Sequence, residues 1–71
     1  MLIRIDDTDL VDDLCVHYRR SGFQVEALGG GMVEVEREDA PTREQERNEV
    51  LLHLRIWQVT HPETDCGLLP Q

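Results

Sequence analysis

Glu26, Glu34 and Glu36, with Gln24 beside them, are the side chains whose type and spacing come nearest to chemistry in this sequence. At a period of two along neighbouring strands they share one sheet face, where carboxylates can hold a cation, act as a general acid and base, or dock a basic partner. A flat face on a small sheet offers no dry concave site that would shift a carboxylate's pKa. The expectation is therefore a solvated acidic surface, no catalytic residues and no enzyme.

The remaining chemistry-bearing residues are scattered. His17, His53 and His61 with Cys15 and Cys66 show neither Cys-x-x-Cys nor His-x-x-x-His spacing, so no metal site and no cofactor is expected. Gly29-Gly30-Gly31 has the look of a phosphate cradle, but such loops open a helix, and this one runs into a strand with no following Lys, Ser or Thr. It reads as a hairpin turn.

Charge narrows the partners. The 71 residues carry 15 Asp and Glu against 7 Arg and no Lys, a formal net charge of −8, which argues against a direct nucleic-acid or anionic-membrane surface. No apolar run approaches the roughly 18 residues of a membrane span, the N-terminal stretch lacks a secretory h-region, and two distant cysteines favour reduced thiols. A cytoplasmic protein is expected.

These residues must be positioned by one small core, because a chain this short buries only about 60% of its unfolded surface. Ile3 and Ile5 mark a first strand. Asp6 or Asp7 can cap a helix whose apolar stripe is Leu10, Val11, Leu14, Cys15 and Tyr18, ended by Ser21-Gly22. Phe23 to Leu28 and Met32 to Glu36 form a hairpin that pairs Val25 with Val35 and Ala27 with Val33, making one face apolar and setting Glu26 opposite Glu34. Arg4 is the expected counterion for that like-charge pair, if the first strand lies antiparallel to the third. Thr42 with Gln45 forms a capping box for a second helix running to about Thr60, before His61-Pro62.

The fold class that follows is α+β: a two-layer β-α-β-β-α sandwich, half-ferredoxin-like, with a three-stranded sheet of order 1-3-2 and two helices on one face. Residues 1–61 form the single domain and 62–71 a C-terminal tail that nothing in the pattern orders.

The second helix carries more apolar surface than one sheet needs. Val50, Leu54 and Trp57 share one side, while Leu52, Ile56 and Val59 lie on the opposite side. Either the tail folds back so that Leu68 and Leu69 cover this second stripe, or it is an interface. The expected function is a small acidic accessory or regulatory protein that acts by binding another protein or by homodimerisation through Leu52, Ile56 and Val59. Two alternatives are an acidic phosphate mimic that inhibits a nucleic-acid-binding protein through Glu26, Glu34 and Glu36, and a small-ligand sensor with its site between helix and sheet.

Overall fold

A computed structural model describes residues 1–70. Strand β1 (Leu2–Ile5) is followed by a 3-10 turn (Thr8–Leu10), helix α1 (Val11–Arg20), strands β2 (Gln24–Gly29) and β3 (Met32–Glu36), helix α2 (Arg43–Val59) and strand β4 (Cys66–Leu68). The sheet is four-stranded, ordered β2-β3-β1-β4, and each neighbouring pair is antiparallel. The three-stranded expectation is thereby corrected. The segment expected as a tail supplies the fourth strand, and the half-unit becomes the full β-α-β-β-α-β order of the ferredoxin-like split βαβ. Gln71, the last residue of that tail, lies outside the described residues.

Local chemistry accounts for the elements. The Asp7 side chain accepts the Asp9 N–H and caps the 3-10 turn that leads into α1. The Thr42 side chain accepts the Gln45 N–H at 3.1 Å and opens α2. In the hairpin, Val25 faces Val35, Glu26 faces Glu34 and Ala27 faces Val33, with an irregularity between Ala27 and Gly29 before Gly29 meets Met32. Gly30 and Gly31 then make the reversal with φ of 62° and 78°, the signs that a type I′ turn requires at both central positions.

Period two in the strands and 3.6 in the helices converge on one core. Ile3, Ile5, Val33 and Val35 from the sheet meet Leu14, Cys15 and Tyr18 from α1 and Val50, Leu54 and Trp57 from α2, with Met1 and Phe23 at the margins. Leu68 and Cys66 pack against this cluster because β4 pairs Leu68 with Ile3 and Cys66 with Ile5. The buried Tyr18 hydroxyl donates to the Val50 carbonyl at 2.7 Å and links the two helices; its burial pushes the phenol well above its usual pKa.

The counterion expectation is also corrected. Register puts Leu2, not Arg4, opposite Glu34, while Arg4 sits opposite Met32 and Gly67. Arg4 turns to the Asp65 carboxylate that β4 brings within 3.4 Å, and Glu34 takes the Met1 amino group at 3.1 Å instead. That amino group also donates to the Val35 carbonyl at 2.7 Å.

Candidate functional site

Leu52, Ile56 and Val59 follow one another at i, i+4 and i+7, so a straight helix lines them up on one side. The opposite side of α2 is consumed by the core, where Val50, Leu54 and Trp57 are buried. The stripe is therefore left facing outward, with exposures of 56% for Leu52, 50% for Ile56 and 78% for Val59. Leu68 and Leu69 do not cover it: Leu68 pairs with Ile3, and the Leu69 N–H bonds the Leu2 carbonyl at 2.9 Å, both at the sheet edge.

The electrostatics of this stretch differ from those of the rest of the chain. From Val50 to Pro62 there is no Asp or Glu, and the charge-bearing side chains are Arg55, His53 and His61. An apolar stripe in a carboxylate-free stretch of a protein with a net charge of −8 has the composition of an interface core, where charged groups are depleted.

One turn beyond Ile56, Thr60 enters a groove of about 290 Å³ between α1 and the end of α2, lined also by Asp13, Val16, His17, Arg20, Trp57 and His61. Asp13 organises it. Its Oδ2 accepts the Trp57 indole N–H at 2.8 Å and stands 3.2 Å from His61 Nε2, while the imidazole stacks on the indole with ring centres 4.0 Å apart. His61 Nδ1 lies 2.9 Å from both Thr60 Oγ1 and the Trp57 carbonyl. The Thr60 hydroxyl is itself committed to the same carbonyl, donating to it at 2.8 Å. The Asp-His-Thr sequence thus has the outline of a nucleophile relay but lacks a base aimed at the hydroxyl. It works as a helix C-terminal clasp. Sequence patterns did not reveal it; the available signal was the need of a buried indole for an acceptor.

The acidic set assembles as the register requires. Gln24 faces Glu36 and Glu26 faces Glu34 on the open side of the sheet, and the four side chains with Val25 border a shallow depression of about 300 Å³. The histidines and thiols do not converge. His17 and His53 sit together, ring centres 5.8 Å apart, with His17 Nε2 donating to the His53 carbonyl, whereas His61 belongs to the groove. Among the described residues no three metal-ligating side chains are grouped. Cys15 and Cys66 are free thiols, and burial, the largest influence on each, pushes both above the ordinary thiol pKa, which disfavours the nucleophilic thiolate.

Among the described residues no helix is long and apolar enough to cross a membrane. No protein-family model, curated protein or solved structure matches the chain.

Proposed function

We propose that this is a small acidic accessory or regulatory domain that acts by docking on another protein or on a second copy of itself, through the outer side of α2. The observation that carries the reading is the exposed stripe of Leu52, Ile56 and Val59, left open because the C-terminal segment is used to extend the sheet. An apolar stripe fixed on a rigid helix needs no reorganisation to bind, so ordering costs at the interface are small. Arg55 and Thr60 supply a polar rim.

The test is Ile56→Asp. Ile56 is half exposed, so the variant is expected to fold, and it places a charge in the middle of the stripe. Light scattering over a concentration series then reads self-association, and capture from cell extract followed by identification reads other partners. Loss of dimer mass assigns the stripe to self-docking; loss of a captured partner assigns it to a heterologous complex. A variant with the same mass and the same partners as the parent chain refutes the reading.

A second reading uses the other side of the molecule. Glu26, Glu34 and Glu36 stand together on the open sheet face, as a competitor for a phosphate-binding surface would present them. Binding of that kind weakens steeply with salt, whereas docking through Leu52, Ile56 and Val59 is nearly insensitive to it.

A further inference from the structure

A sheet of order β2-β3-β1-β4 has two outer edges. Strand β4 is three residues long and is followed closely by Pro70, features that keep an edge from pairing further. Strand β2 is six residues long and contains neither Pro nor Lys. Register fixes which of its backbone groups are turned outward. The Val35 N–H donates to the Met1 carbonyl at 2.8 Å and the Ile5 N–H to the Gly31 carbonyl at 2.8 Å, so Gly31, Val33 and Val35 turn their backbone groups to β1. In an antiparallel ladder the alternate residues bond the other neighbour, which joins Glu34 to Glu26 and Glu36 to Gln24. The N–H and C=O groups of Val25 and Ala27 therefore point away from the sheet. An Arg19 guanidinium lies 3.5 Å from the Val25 carbonyl, an exposed contact at the limit of hydrogen bonding that an incoming N–H would displace.

The two sides of this edge differ in chemistry. On the open face Glu34 is met by the Met1 amino group at 3.1 Å, whereas Glu26 and Glu36 have no cationic partner among the described residues. A strand added beside β2 sends alternate side chains to opposite faces, so every second residue passes these carboxylates. The residues between them pass Ala27, which is exposed at the edge although its pair Val33 is buried, and the half-buried Val11. Ala27, Val11 and Asp12 belong to the lining of a depression of about 230 Å³ at the hairpin end. Charge disfavours a second copy of β2 as the occupant. The antiparallel register that uses Val25 and Ala27 on both chains centres on Glu26 and sets it directly opposite its own copy, a like-charge pair.

We propose that the β2 edge binds an extended segment of another protein by antiparallel strand addition. Val25 and Ala27 exchange backbone hydrogen bonds with the segment, its alternate Lys or Arg residues lie over Glu26 and Glu36, and small apolar residues between them pack on Ala27 and Val11. The surface is separate from the α2 stripe. It shares Glu26, Glu34 and Glu36 with the second reading above, but the backbone contact makes it selective for an alternating sequence and not for basic charge alone.

The probe is a short peptide in which lysine and valine alternate, titrated into the full chain and followed by amide NMR. Three control peptides carry the same residues as a lysine block and a valine block, glutamate in place of lysine, or N-methyl groups on the valine amides that would face Val25 and Ala27. The expected result is saturable shifts over Gln24–Leu28, slowed exchange of the Val25 and Ala27 amides, and at least about tenfold weaker binding of the block and N-methylated peptides. Glu26→Arg, at an exposed position, should weaken the lysine peptide about tenfold and favour the glutamate one. Ala27→Pro removes an N–H that no ladder bond uses, a change an edge strand tolerates, and should abolish binding. Ile56→Asp leaves binding unchanged. Equal binding of the block peptide overturns strand addition and leaves only the charge attraction of the second reading. Equal binding of the N-methylated peptide, shifts centred on Leu52, Ile56 and Val59, or non-saturating shifts overturn it as well.

Discussion

The Trp57 indole N–H donates to the Asp13 carboxylate at 2.8 Å, and this bond ties the end of α2 to the first half of α1. Asp13 is 58% exposed, so the charge on it is screened and the bond is worth little beside the burial of the indole. Trp57→Phe should therefore cost about 1–2 kcal/mol, whereas Trp57→Ala should cost about 3–5 kcal/mol through the cavity it leaves. A single core of this size rarely supplies more than ~3 to 5 kcal/mol, so the alanine variant should be largely unfolded without denaturant. Far-UV circular dichroism with urea titration distinguishes the two; equal midpoints would remove Trp57 from its place as the anchor of α2.

Gly30 and Gly31 have similar positive φ but unlike surroundings. A Cβ on Gly31 would meet the Ile5 carbonyl oxygen at a separation no real side chain tolerates, and that oxygen is backbone of a central strand. Ile5 N–H in turn donates to the Gly31 carbonyl at 2.8 Å, so neither strand can retreat without breaking the hairpin's contact with β1. A Cβ on Gly30 meets nothing within 4 Å. Gly30→Ala should cost about 1 kcal/mol of backbone strain, and Gly31→Ala clearly more, measured as the difference between their urea midpoints. Equal costs would mean that the turn shifts as a unit and that the close approach is not a constraint.

Much of the arrangement was legible in local pattern. The glycine turn and the alternation of Val25, Ala27, Val33 and Val35 specified the hairpin register, because a one-residue slip would have placed every valine on the charged face. The Thr42 cap and the double-sided α2 were readable for the same reason: short-range spacing carries them. Strand β4 was not readable. Cys66-Gly67-Leu68 is three residues with a central glycine, too short to show a period, and its pairing with β1 rests on contacts more than sixty positions apart in sequence. Without β4, the competition between Asp65 and Glu34 for Arg4 could not be foreseen, nor could the removal of Leu68 and Leu69 from the reach of the Ile56 stripe.

His53 gives the fold a dependence on acid. Burial is the main influence holding its imidazole below the ordinary value of 6.5, aided by the neighbouring His17 ring and the Arg37 guanidinium and opposed by Glu49; Tyr18 and Phe23 add aromatic contacts. The ring thus stays neutral in the fold at pH values where the unfolded chain has begun to take a proton. As pH falls below 6.5 the unfolded state binds more protons than the native state, so the stability present above 6.5 is progressively lost down to the folded value. Urea midpoints should fall between pH 7.5 and pH 5.5, and His53→Gln should flatten the dependence. An equally steep fall in the variant would assign the loss to other groups.

Truncation after Glu63 separates a structural β4 from a dispensable tail. The cut removes Thr64, which is buried and whose carbonyl accepts from the Gln58 side chain, the Asp65 carbonyl that accepts the Asp6 N–H at 2.9 Å, and all of β4. The outer edge of β1 would then present unpaired backbone groups, and Ile3 and Ile5 would lose Leu68 and Cys66 as neighbours in the sheet. Burial of the Leu68 side chain alone contributes on the order of 1–2 kcal/mol, and loss of the strand's hydrogen bonds adds to this. The truncated chain should consequently unfold at lower urea than the full chain and associate through the bared edge, in a manner that Ile56→Asp does not reverse. Association that Ile56→Asp does reverse would instead mean that residues 64–71 shield the α2 stripe in solution. A truncated chain as stable and as monodisperse as the parent would show that β4 contributes nothing to the fold.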